Sequence, residues 1–179
     1  MTNGLVVMTP TSIAYSGTSA SINADGSVVF SACSSLSLNG VFTGDYDNYM
    51  VAMRSVSTAS TSIVGWLRAG GVNNTTASSY VYQTLVASGT SIAGARTTNN
   101  TTVWQDTYAT QRTGVTIYFF GPYLAQPTAY RTVSALDESS ARIGDIAGTH
   151  NQSTAYDGFT MVANSGTITG KLTVFGFNQ

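Results

Sequence analysis

The sequence predicts an all-β protein, an antiparallel β-sandwich of the jelly-roll type with an extended N-terminal arm. Three observations predict it. Apolar and aromatic residues come in short alternating runs, rich in the Thr, Val, Tyr and Phe that pleated surfaces favour. Gly, Asn and Asp break these runs about every 8–15 residues, the punctuation of sandwiches and barrels. No window places apolar residues at i, i+3, i+4 and i+7 with good helix formers between them.

Taken in order, residues 1–23 hold Pro10 and Ser/Thr clusters with little periodicity. They read as an arm or edge strand ahead of a single domain over residues 24–179. The turn Ala24-Asp25-Gly26 launches a strand at Gly26–Ala32, and a second apolar alternation at Leu36 and Leu38 runs into the turn pair Asn39-Gly40. Asn48–Val56 and Ser62–Ala69 follow, the latter ended by Gly70-Gly71. Ser79–Ala87 carries Tyr80, Tyr82, Thr84 and Val86 on alternate positions. Gly114–Phe120 is the most apolar run and stops at Gly121-Pro122. Ala129–Ser134 and Arg142–Ala147 are weaker strands. In Thr167–Phe177, Ile168, Leu172 and Val174 face one way while Thr169, Lys171 and Thr173 face the other. Asn73–Ser78 and Thr97–Thr102, each with an Asn-Asn-Thr-Thr tetrad, read as long polar loops.

Composition narrows the function. Charged residues are 8% of the 179, against about 25% in a typical soluble domain. Ser (22) and Thr (27) take their place, and the formal net charge is −1. Seven scattered Lys and Arg cannot neutralise a run of phosphates, which argues against nucleic acid as a partner. No apolar run approaches the length of a membrane span, and the first twenty residues lack the basic and apolar segments of a secretory leader. One cysteine, Cys33, excludes an internal disulfide and reads as a small buried side chain. A weakly charged surface favours self-association.

The side chains that carry chemistry are sparse. His150 has Asp145 and Asp157 nearby in sequence, but a Ser-His-Asp triad also needs a serine on a strained turn and an oxyanion hole, and no Gly-x-Ser-x-Gly is present. A hydrogen bond at the surface or between subunits is the better reading of His150. Asp45 and Asp47 flank Tyr46, and Asp137 adjoins Glu138; a carboxylate pair across a cleft would hydrolyse glycosides, but Thr43-Gly44-Asp45 has the character of a turn. One His and one Cys fail the zinc pattern, and no spaced acidic loop offers a calcium site. No enzyme activity and no cofactor are therefore expected. The candidates for ligand or interface contact are the neutral amides and aromatics Asn73, Asn74, Tyr80, Tyr82, Asn99, Asn100, Trp104 and Tyr108, residue types that line both sugar grooves and subunit interfaces.

Three segments share a pattern with a known family. Gly40-Val41-Phe42-Thr43-Gly44-Asp45-Tyr46-Asp47-Asn48-Tyr49, the hairpin Trp66–Val72 with Tyr80, and the closing Tyr156–Thr160 and Ser165–Phe177 resemble β-sandwich proteins of bacteriophage particles, common in phages of marine bacteria and cyanobacteria. The similarity runs over roughly 21–177. It implies a jelly-roll module that trimerises and decorates capsids or forms head or tail fibres. The expected partners are other copies of the chain, a major capsid protein or a fibre or tail component, and a host surface glycan; the expected location is the virion. A chain with about twenty residues ahead of the module fits a small decoration or attachment subunit better than a full-length fibre. Met1–Asn23 is the expected anchor, and deleting residues 1–20 is expected to leave the trimer folded but to abolish incorporation into particles. The alternative is a receptor-binding, carbohydrate-binding fibre module.

Overall fold

Local turn chemistry sets the path of the chain. At the first hairpin Gly26 takes φ +78°, the Ser27 amide donates to Asp25 Oδ1 at 3.0 Å, and the Asn23 amide donates to the Ser27 carbonyl at 2.8 Å. In the computed structural model, which describes residues 4–59, 61–105, 112–136 and 142–178, the described residues form 14 strands and no helix. They are β1 (Val6–Val7), β2 (Ser12–Ile22), β3 (Val28–Asn39), β4 (Asn48–Ser57), β5 (Ile63–Ala69), β6 (Val72–Asn73) and β7 (Tyr80–Ser88). There follow β8 (Ser91–Asn100), β9 (Val103–Gln105), β10 (Arg112–Phe120), β11 (Thr128–Leu136), β12 (Arg142–His150), β13 (Gly158–Ala163) and β14 (Ile168–Phe177). The runs expected at Asn48–Val56, Gly114–Phe120 and Thr167–Phe177 are β4, β10 and β14, their ends within about two residues.

All pairings are antiparallel, in the order β6-β5-β13-β3-β14-β4-β10-β11-β12-β7-β8. The sheet folds over at β3. Val28–Cys33 pairs with β14, Ser35–Leu38 pairs with β13, and β2 runs beside both halves. The bend lies at Ala32, which takes the left-handed φ +47°, and its amide donates to Thr169 Oγ1 at 2.9 Å. Opposite it stands Gly17, where a Cβ would lie 2.4 Å from the Ala32 carbonyl oxygen, so this crossing admits only glycine. The strands separated in the sequence reading at Gly26–Ala32 and Leu36–Leu38 are thus one kinked strand that serves two layers.

The large layer holds β14, β4, β10, β11, β12, β7 and β8. The small layer holds β13, β5, β6 and β9, with β9 against β7, β11 and β12. Between them lie Val28, Leu36, Leu38, Val51, Ile117, Ile146, Leu172 and Val174, all buried. Phe42 contacts both layers, with ring centroids 5.4 Å from Phe119 of β10 and 5.9 Å from Phe159 of β13. The protein is therefore an all-β antiparallel sandwich whose curled sheet is jelly-roll-like.

Two expectations change. Thr97–Asn100, expected in a loop, belongs to β8, because pairing with β7 recruits polar residues that have no apolar alternation of their own. Of the two readings of the N-terminal segment, arm or edge strand, residues 12–22 take the second: they form β2, paired with β3 on both sides of a bulge at Ser16/Gly17, so removing residues 1–20 strips most of a strand from the sandwich rather than a dispensable arm.

Candidate functional site

The neutral polar residues singled out in the sequence collect at one end of the sandwich. β12, β7 and β8 bring His150, Tyr80 and Asn100 into one cross-strand row. The Tyr80 ring stacks on the His150 ring at 4.1 Å, and its hydroxyl accepts from the Leu67 amide at 3.1 Å and donates to the Asn74 carbonyl at 3.2 Å. His150 Nε2 lies 2.5 Å from the Tyr156 hydroxyl, which also accepts from Asn74 Nδ2 at 2.7 Å. Asn100 Nδ2 donates to the Tyr82 hydroxyl at 3.1 Å.

This cluster is a buried joint between layers. Tyr80, His150 and Tyr156 are fully buried. Burial pulls the His150 pKa down to about 4, against the opposing pull of the Ser79 backbone, so the ring is neutral at pH 7. Burial likewise pushes the Tyr80 and Tyr156 hydroxyls up. The surface or inter-subunit role expected of His150 is thus corrected: Tyr80 from β7 and Tyr156, six residues further along the chain, enclose it. Nor does a triad assemble around it. Asp145 projects from the other face of β12, where its two oxygens accept from Arg131 Nε at 2.9 Å and Nη2 at 2.5 Å. Asp157 Oδ2 accepts from the Gly70 amide at 3.1 Å.

Beside the joint lies a second network that sequence reasoning missed. Arg68, on β5, is buried, and its guanidinium donates to Asn39 Oδ1 at 3.0 Å, Ser37 Oγ at 3.2 Å and Thr160 Oγ1 at 2.8 Å, and to Asn73 Oδ1 and the Gly71 carbonyl. Burial lowers its pKa, and the charge of Asp157 opposes the shift. Asn73 is thereby committed to holding β6 and β13 together, accepting from Thr160 Oγ1 at 2.7 Å as well. The sequence signal was an arginine on a strand face otherwise occupied by Val64 and Trp66.

At the margin of these networks, sharing Asn73, Asn74 and Tyr156 with them, Ala69, Val72, Thr75, Thr76 and Thr154 complete the lining of an open groove of about 390 Å³. Its walls offer amides and hydroxyls and no formal charge, chemistry that suits a neutral hydrogen-bonding ligand. Of the other expected contacts, Asn99 is exposed on β8, and Trp104 stands in β9 opposite Val64. Tyr108 lies outside the described residues, as do Asp137 and Glu138. Asp45 is engaged locally, its Oδ2 accepting from Thr43 Oγ1 at 3.1 Å. Among the described residues no group of three or more His, Cys, Asp or Glu is placed to hold a metal, and no helix is long and apolar enough to cross a membrane.

No family model and no curated protein matches the chain. Among solved structures it is similar to the binding domain of botulinum neurotoxin serotype G, with a TM-score of 0.25 and 7% identity, over 99% of this chain and 44% of that one. The chain spans less than half of that protein's length, and a likeness this low carries no argument.

Proposed function

We propose that the protein is a structural component of a bacteriophage virion, displayed on the particle surface as a capsid decoration or attachment subunit that works by self-assembly and adhesion. One observation carries this reading. On the outer face of the large layer, Leu85, Ile92 and Ile143 are 53%, 75% and 59% exposed: Ile143 of β12 and Ile92 of β8 flank Ala87 of β7, and Leu85 lies on the diagonal to both. Among the described residues no strand pairs with the outer edge of β8, which ends the layer. An apolar sheet face ending in a long open edge is what a closed homo-oligomer covers. The net charge of −1 adds little repulsion between copies. The phage-like motifs support the same reading, since they form β13, β14 and the approach to β4 at the centre of the sandwich. A homotrimer seated on a capsid, fibre or tail protein is the form proposed. Light scattering of the purified protein at low and high salt tests it: a mass near three subunits is expected, and a clean monomer at both salts overturns the assembly.

The open groove beside Asn74 favours a second reading, a fibre module that binds a host glycan. Asn74→Ala then lowers binding to any neutral saccharide found in a glycan screen, and a screen without a hit removes this reading.

A further inference from the structure

The chain has seven cationic side chains, and three of them meet on the outer face of the large layer, away from the groove beside Asn74. The strand register places Gly114 of β10, Arg54 of β4 and Lys171 of β14 in one row, and Arg112, Val56 and Thr169 in the next. Arg54 therefore has a like charge directly across from it and another on the diagonal, an arrangement that costs stability in a sheet. Lys171 is bridged to Asp25 at 3.1 Å, both side chains being about half exposed. Among the described residues no carboxylate pairs with Arg54 or Arg112. A surface this poor in charge has gathered cations where they repel one another.

Next to them the sheet face is hollow. Gly114 has no side chain, and a Cβ there would find no atom within 4 Å. With Ala52, Thr116, Ala135 and Thr173 it lines a groove of about 570 Å³ walled by Arg54 and Lys171. A second recess of about 360 Å³ shares those two cations and adds Arg112.

We infer that this groove binds an acidic saccharide. The carboxylate sits on the Arg54 and Arg112 guanidinium groups, whose planar forks match it bidentately, with Lys171 at the rim. The apolar C–H face of the ring lies over Gly114, Ala52 and Ala135, and Thr116 and Thr173 supply hydroxyls. The volume is that of a small-ligand site. A nucleic acid needs a track of cations and stacking rings, whereas here the charge is confined to one end of an uncharged floor. The inference does not rest on the virion reading and holds for a monomer or an oligomer.

Isothermal titration of the full chain with a hexameric uronate oligosaccharide, beside neutral maltohexaose, tests it. Saturable binding to the uronate alone is expected. Gly114→Val fills the floor without backbone strain, and Arg54→Gln with Arg112→Gln removes the forks; each is expected to weaken binding by at least about tenfold, with the circular dichroism unchanged and the melting temperature not lowered, the double variant being relieved of like-charge repulsion. Asn74→Ala is expected to leave binding intact, which separates this site from the neutral groove. Equal binding of the neutral sugar, no binding up to about 1 mM, or full binding by both groove variants overturns the inference. Displacement by free phosphate as strong as by the uronate also overturns it, reducing the site to one for simple anions.

Discussion

The β7–β8 hairpin and the strands around β14 are made from the same neutral residues, yet different forces hold them. In β14, Ile168, Leu172 and Val174 are buried against β3 and β4, with Gly170 and Gly176 at the other inward positions. Each such side chain contributes about 1.5–3 kcal/mol. In β8 only Thr97 and Asn100 are even partly covered, and the strand adheres through its backbone ladder to β7. Each ladder bond is worth about 0.5–1.5 kcal/mol net. β14 is held by packing and β8 by backbone pairing, while Tyr80 and Ile146 still anchor the neighbouring β7 and β12 in the core, so β8 is the strand with surface to spare for a partner.

Three perturbations break or sharpen this contrast. The largest acts on the packed half. Phe119→Ala removes the ring that meets Phe42 and Phe159, and is expected to cost about 3–5 kcal/mol in chemical denaturation. A loss below about 1 kcal/mol would mean that the aromatic cluster does not join the layers. The next acts at the seam between the halves. The folded pKa of His150 is about 4, below its ordinary 6.5, so its contribution is complete above pH 6.5. It is lost as pH falls toward 4, where the unfolded chain takes up a proton that the buried ring refuses. Over that window stability should drop by about 2–3 kcal/mol, and His150→Gln should flatten the slope; an unchanged slope would place the titration elsewhere. The smallest effect on stability belongs to the hairpin. Ile92→Ser should shift unfolding by no more than about 0.5 kcal/mol, while lowering the mass seen by light scattering. A melted fold would show that β8 belongs to the core after all.

How much of this was legible follows the same division. β4, β10 and β14 were readable because one face must be apolar, and their alternation is local. β8 was not, since Ser-Ile-Ala-Gly-Ala-Arg-Thr-Thr-Asn-Asn has no buried face to encode and its state is decided by β7. β2 stayed ambiguous for the same reason: its partner, not its own pattern, makes it a strand. His150 sits between Thr149 and Asn151 and looks exposed in sequence, while its burial is supplied by Tyr80 and Tyr156. Of the eight expected contact residues, Asn73, Asn74, Tyr80, Tyr82 and Asn100 do meet at one end, but largely to satisfy one another. The Arg54–Lys171 pairing was invisible, because 117 residues of chain separate two side chains that only the register makes neighbours.

The kinked β3 also bears on how the molecule comes into being. Its bend is held by a bond between Ala32 and Thr169, groups 137 residues apart, and neither layer is complete until β13 and β14 dock along it. Closing so long a loop is entropically slow, which places folding on the order of milliseconds to seconds. On the ribosome β3 must wait, one edge unpaired, while more than a hundred residues are synthesised. Its alternate serines, Ser31, Ser35 and Ser37, dilute the apolar strand during that interval and make the nascent chain a poor template for aggregation.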